Sequence, residues 1–388
     1  MNESLTEKRI YLDYAATAPL LPEVQEALLE YASLGYGNAS SLYYEGREAR
    51  KTLEQSRADS ASRMGCLPHE LYFCSGGTEA AGSLIEGIAL GSLNKSGRRH
   101  IICAAFEHHA VLKSALSLKR FGFEVELLRP NREGFITPES LQVALKKDTL
   151  LVLVGLAQNE VGTVQNVAEL ARLSHAAGAL IMSDCVQALG KLPFSLADIS
   201  VDAACFSAHK IGGPFGVGAF YLRRGVTCRA RQLGGGQEQQ LRSGTQNVAG
   251  ALGFAKAIKY HSPEYIAQEN IRLAALRDEL LVGLTQASSR ISPTVSIASG
   301  SSTQHLSNVL HVLVQGIESQ TMVLKLDELG FAVSGGSACS TGSLEPSHVL
   351  TSMGISKDEA YGALRVSLGR DTSNEDCQKF AEALLSIL

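Results

Sequence analysis

Short, almost wholly apolar runs alternate with longer amphipathic stretches through the first two-thirds of the chain. The runs ELYFCS (70–75), HIICAA (100–105), EVELLR (124–129), TLLVLVGL (149–156), LIMSDC (180–185) and AACFSA (203–208) have the length and composition of strands. Between them, apolar positions recur at helical spacing over 78–93, 109–121, 137–147 and 166–177. Thr137 followed by Pro138 is a matched helix start, with a hydroxyl to cap the first turn and a proline where no amide is needed. Near-continuous apolar strands alternating with helices predict a mainly parallel sheet covered on both faces. VGAFYLRRG (217–225) predicts one further strand. Past about residue 260 the pattern changes. Long helical stretches at 263–287, 316–329 and 374–388 flank fewer strands, which predicts a smaller α+β unit. RIYLDYA (9–15) reads as a strand that pattern alone assigns to neither unit.

A chain of 388 residues exceeds one small core and suits two units of ordinary size. With 45% hydrophobic and 19% charged residues it is composed as a soluble globular protein, and a net charge of -4 gives no basic excess for nucleic acid or an anionic membrane surface. No apolar run approaches the roughly 18 residues of a membrane span. MNESLTEKRI at the start carries acids and no apolar stretch, so neither a signal nor a transit peptide is expected there. The eight cysteines are scattered without a CxxC pair, which fits neither a disulfide scaffold nor a zinc site and points to a reducing cytoplasm.

Candidate chemistry gathers at strand ends. Lys210, in CFSAHKIGGPFGVGAF (205–220), follows an apolar strand and precedes a glycine-rich turn, with Ser207 and His209 beside it. Most lysines are solvated surface charges. One at the C-terminal end of a strand faces the crevice where open α/β sheets bind ligands, and a desolvated lysine serves as a carbonyl-binding nucleophile or a base. Asp184 ends LIMSDC, and Gln187 lies three residues on. A strand-end carboxylate paired with a strand-end lysine suggests pyridoxal phosphate, the lysine for its aldehyde and the carboxylate for its pyridinium nitrogen. SGGTEAAGS (75–83) follows a strand and opens a helix, so Gly76, Gly77 and Thr78 offer amides and a hydroxyl at a positive helix end for a phosphate. The same residues also suit an ordinary turn. Neither GxGxxG after a strand nor GxxxxGK[ST] occurs, so dinucleotide and P-loop readings lack their phosphate-binding parts. EHH (107–109) has no second ligand pair for a metal, leaving a ring packed on a cofactor or a plain loop histidine. SGGSACSTGSLEP (334–346) sets Cys339 among small and polar residues with no large apolar neighbour close by, unlike a core cysteine.

Together these residues resemble the cysteine desulfurases of the NifS/IscS type, within the class V aminotransferase group of pyridoxal phosphate enzymes of fold type I. The likeness runs through YLDYAATAP, GNASSL, SGGTE, EHHAVL, QNEVGTVQ, SDCVQALGK, FSAHKIGGPFGVGAFY, RSGTQN, SGGSACSTGSLEPSHVL and LRVSLGR. It implies a large α/β cofactor-binding domain over 16–262 and a small α+β domain from 1–15 and 263–388, the latter carrying the long mobile cysteine loop of one subtype at about 334–346. It further implies that Lys210 holds the cofactor and moves the Cα proton, and that His108 stacks on the ring. Asp184 meets the ring nitrogen and Gln187 the phenolic oxygen. Gly77, Thr78, Ser207 and His209 hold the phosphate, with Thr245 of a second copy in a homodimer. Asn159 and Arg365 bind the substrate carboxylate, Cys339 accepts sulfur from L-cysteine, and a sulfur-acceptor protein then takes it. No metal enters this scheme.

Ala18, Ala39, Tyr43, Gly82 and Gln158 depart from the family's usual residues and are expected around the substrate mouth and the phosphate helix. Two rival readings bear on the same residues. One is a selenocysteine lyase, C–S lyase or aminotransferase that uses Lys210 but not Cys339; the other is a catalytically silent scaffold.

Overall fold

In the computed structural model, residues 9–93, 95–300, 303–335 and 346–388 are described. The strands, numbered in chain order, are β1 (Ile10–Tyr11), β2 (Leu71–Cys74), β3 (His100–Ala104), β4 (Glu124–Leu128), β5 (Thr149–Leu153), β6 (Leu180–Asp184), β7 (Ala203–Ser207) and β8 (Gly218–Leu222). After residue 260 come β9 (Ile291–Pro293), β10 (Val309–Val314), β11 (Phe331–Ala332), β12 (Ser334–Gly335) and β13 (Ala363–Ser367). Every apolar run read as a strand is one.

Seven strands form one sheet in the order β2-β8-β7-β6-β5-β3-β4. The pairs from β7 through β6, β5 and β3 to β4 are parallel, and β8 alone runs against its neighbours β7 and β2. β3, β5, β7 and β8 are buried along their whole length, which explains their unbroken apolar sequences. Only β4, at the edge, alternates between buried and exposed positions. Two apolar clusters lie around this sheet, one containing Ile102, Val152 and Phe206, the other Ile101, Leu151 and Cys205. Residues adjacent in a strand fall in different clusters because successive side chains point to opposite faces.

The Thr137 cap is present: its Oγ1 accepts the Ser140 amide at 3.2 Å, with Pro138 opening the helix. Of three helices that the pattern does not announce, Pro22–Leu34 and Tyr44–Met64 both pack on the third, Val248–Tyr260. Tyr44–Met64 is polar overall. Its buried side is Gly46, Ala49, Leu53, Ser56, Arg57, Ser60, Ala61 and Met64, a helical stripe made mostly of small or polar residues.

The later strands form a separate antiparallel sheet, β12-β13-β10-β9, over a third apolar cluster that includes Leu280, Val312, Leu364 and Phe380. RIYLDYA gives only the two-residue β1, which pairs in parallel with β11, while Asp13 bridges Ser367 at the end of β13. The N-terminal segment is thus held by C-terminal strands. Among the described residues, no helix is long and apolar enough to cross a membrane.

Candidate active site

The C-terminal ends of β2, β3, β5, β6 and β7 open onto one cavity of about 430 Å³. It is lined by Gly77 and Thr78 after β2, His108 after β3, Asn159 after β5, Asp184 and Gln187 from β6, and Ser207, His209 and Lys210 from β7. Arg365 joins them from β13, so the two sheets share the site.

The helix Gly77–Ser92 points its first turn at this space, and among the described residues no side chain caps it. The close approach here depends on glycine. A Cβ on Gly77 would lie 3.0 Å from Val186 Cγ2, and one on Gly218 would lie 2.7 Å from Gly76 Cα and 2.5 Å from the Phe206 carbonyl oxygen. β8, β7 and the glycine turn therefore touch backbone to backbone, leaving room for an anion at the helix start.

Lys210 Nζ donates to the carbonyls of Ala15 at 2.9 Å and Ala16 at 2.5 Å. Gln187 Nε2 donates to the same Ala15 oxygen at 2.9 Å, and its Oε1 accepts from Lys191 Nζ at 2.6 Å. His209 stacks on Phe215 with ring centroids 5.6 Å apart, and its Nδ1 lies 3.1 Å from Thr17 Oγ1. Burial, then the charges of Lys210 and Lys191, pull its pKa down to about 4, so the ring is neutral at pH 7.

At the end of β6, Asp184 Oδ1 accepts the Val186 amide at 2.9 Å. Glu107 is buried, and its Oε1 accepts the Gly155 amide at 2.7 Å. Burial raises its pKa to about 8; the Gly155 bond opposes that and the Asp184 charge adds to it. His108 caps the helix His109–Ser117 by accepting the Ala110 amide on Nδ1 at 3.1 Å. His109 stacks on His348 with centroids 4.5 Å apart, and His348 Nε2 meets the Glu107 carbonyl oxygen at 3.0 Å. Arg365 is almost wholly buried; it donates to the Asn159 carbonyl at 2.8 Å and to Asp13 Oδ1 at 2.9 Å, and its Nε–H has no partner among the described residues. A planar cation locked in this way presents a fixed fork for a carboxylate.

A family model described as aminotransferase class-V matches residues 10–380. The chain belongs to the class-V aminotransferase family. It is 37% identical over 387 residues to "Cysteine desulfurase IscS" of Methanosarcina thermophila, covering 100% of this chain and 94% of the relative. A solved structure described as "NIFS-LIKE PROTEIN" superposes with a TM-score of 0.90 at 33% identity, covering 98% of this chain and 99% of that one. Another, described as "SspA in complex with cysteine", gives a TM-score of 0.80 at 29% identity and covers 92% and 98%.

Members of this family depend on pyridoxal phosphate, and the cavity fits it. A glycine-rich helix start suits the phosphate, a lysine the aldehyde, and a carboxylate lining the same cavity the pyridinium nitrogen. Of the cofactor and substrate residues that the family resemblance names, Thr245 alone does not line the cavity of its own chain; it is exposed. Cys339 lies outside the described residues, as does most of the expected loop at 334–346. Among the departures, Gln158 lines the cavity, and its side chain binds the Phe106 carbonyl and the amides of Glu160 and Val161. Ala18, Ala39, Tyr43 and Gly82 stand back from it. Gly82 packs against Arg231, whose Nη1 would lie 2.6 Å from a Cβ there.

Asp13, Glu107, Lys191 and His348 escape a reading of the sequence. Asp13 holds Arg365, Lys191 holds Gln187, and His348 braces the turn at Glu107. All four stand inside runs that carry the family resemblance, but nothing in their own spacing marks the role each plays.

Proposed function

We propose that the protein is a cysteine desulfurase that converts L-cysteine to L-alanine and places the sulfur on Cys339. The observation that carries this reading is the convergence of Lys210, Asp184 and Arg365 from separate strands on one cavity. The cofactor, when bound, supplies an aldehyde for the substrate amine and a ring that stores the electrons released at Cα.

Arg365 and Asn159 hold the substrate carboxylate and so fix which face of Cα meets Lys210. Lys210 Nζ takes the Cα proton and later returns one. Asp184 would hold the ring nitrogen, and neutral His209 offers a hydrogen bond to the phosphate without adding charge. Cys339, as thiolate, attacks the substrate sulfur. The S–S bond forms as the C–S bond breaks, the bonding pair remains with carbon, and a proton completes alanine. The protein then carries a persulfide for transfer to a nucleophilic acceptor, an iron–sulfur scaffold or a sulfur carrier.

The other cysteines support this assignment by exclusion. All seven are free, and burial raises every one of their thiols, to about 12 at Cys66, Cys74 and Cys228 and about 11 at Cys377. Cys103, Cys185 and Cys205 are pushed up in the same way. Thiols held protonated are poor nucleophiles. Seven free thiols also accord with a cytoplasmic protein. The exposed Thr245 fits a homodimer in which it completes the phosphate site of the second copy, and the two sheets fit a large domain over 16–262 with a small one from 1–15 and 263–388.

The test is alanine release from L-cysteine, with a thiol reductant to clear persulfide, for the native protein beside Cys339→Ala. Release that collapses in the variant is the expected result. Equal release by both would assign a lyase that does not use Cys339, and no release by either would refute the proposal.

A further inference from the structure

Lys191 has no part in the chemistry above, yet it lies one hydrogen bond from it. It follows the turn after β6, and its amine is enclosed between Lys210 and a second, smaller cavity that Lys191 and Lys210 both line. Its Nζ donates to Gln187 Oε1 at 2.6 Å, Gln187 Nε2 donates to the Ala15 carbonyl at 2.9 Å, and that oxygen also accepts Lys210 Nζ at 2.9 Å. Four groups are thus linked in a line from the amine of Lys191 to the amine of Lys210.

The two neighbours of Gln187 fix its amide without ambiguity. A backbone carbonyl can only accept, so the amide nitrogen must face Ala15. The amide oxygen is thereby left facing Lys191, whose Nζ donates to it whether charged or neutral. With one N–H on Ala15 and its oxygen turned to Lys191, Gln187 keeps a second N–H to offer the cavity.

We propose that Lys191 is a positioning residue: by holding the oxygen of Gln187, it compels that side chain to act as a hydrogen-bond donor to the bound cofactor. The inference rests on the cofactor reading above. A donor aimed at the phenolic oxygen stabilises its anionic form, and so lowers the pH at which the cofactor's linkage to Lys210 loses its proton. The charge on Lys191 acts in the same sense, but without needing Gln187. On the cavity side Lys191 faces Lys210, Arg365 and His209. Across the smaller cavity it faces Tyr14, His261, Tyr265, Glu269 and Arg370. Burial, then Lys210 and Arg365, bring its own pKa to about 7.

The experiment is a pH titration of the bound cofactor's visible absorbance, without substrate. It compares the holoprotein with Lys191→Met, Lys191→Arg, Gln187→Ala and the Lys191→Met/Gln187→Ala double variant. Lys191→Met should raise the midpoint by about 1 pH unit, Lys191→Arg should restore it, and in the Gln187→Ala background the loss of Lys191 should add little. An unchanged midpoint in Lys191→Met would overturn the proposal. So would an equal rise with and without Gln187, which would mark a plain charge effect. The titration needs no turnover, so these failures leave the desulfurase reading standing. Native protein that binds no pyridoxal phosphate would overturn both.

Discussion

Replacing Glu107 by glutamine should make the folded protein more stable at neutral pH and leave it little changed in acid. The carboxyl is buried against the Gly155 amide and near Asp184, and its pKa rises from an ordinary 4.5 to about 8. The folded state therefore keeps a proton that the unfolded chain has given up. Such a group adds stability below pH 4.5, and that contribution is lost as pH rises through the window to about 8. At ~1.4 kcal/mol per pH unit, native protein at pH 7 has lost about 3 kcal/mol, and above pH 8 about 5 kcal/mol. Glutamine keeps the oxygen that accepts from Gly155 and cannot ionise, so it avoids this loss. Urea unfolding of native protein and Glu107→Gln from pH 5 to pH 9 should give a difference below about 1 kcal/mol at pH 5, growing to about 3 kcal/mol at pH 7. Parallel curves would refute the reasoning, because they would mean that Glu107 ionises alike in both states. A variant less stable than native protein at every pH would show instead that the charge is favourably held.

Three further outcomes follow from the geometry. Arg365→Lys removes the locked fork and should raise KM for cysteine by about 10- to 100-fold in steady-state kinetics. Glu238→Gln breaks a buried pair in which Arg57 donates to both carboxylate oxygens at 2.6 and 2.7 Å, and should lower unfolding free energy by about 3–5 kcal/mol in denaturant titration. Gly218→Ala forces a methyl against Gly76 and the Phe206 carbonyl; it should cost about 1–3 kcal/mol and weaken pyridoxal phosphate in equilibrium dialysis, because the glycine turn must shift.

The parallel sheet was legible because its strands are buried on both faces and carry unbroken apolar runs. Helix Tyr44–Met64 was not, because its buried stripe sets only Leu53 and Met64 among Gly, Ala, Ser and Arg57, too few large apolar residues to show a helical period. Arg57 is inside only because Glu238, far along the chain, meets it there. The site shows the same division. Lys210, Asp184 and Gly77–Thr78 stand at strand ends beside turn residues, so each could be read locally. Asp13 and Lys191 could not, since their roles exist only where Arg365 and Gln187 reach them.

By itself the sequence determined the strands, the crevice at their ends and the residue types able to hold a phosphate, an aldehyde and a carboxylate. These are short-range matters of burial period, turn chemistry and functional group. Only the tertiary structure decided that β8 runs against its neighbours, that the N-terminal β1 belongs with β11, and that Arg365 is aimed by Asp13. The physical reason is that hydrogen-bond partners and electrostatic neighbours are fixed by distance in space. Chain separations of 195 residues between Ala15 and Lys210, or 352 between Asp13 and Arg365, leave no periodic trace for a reader of the sequence.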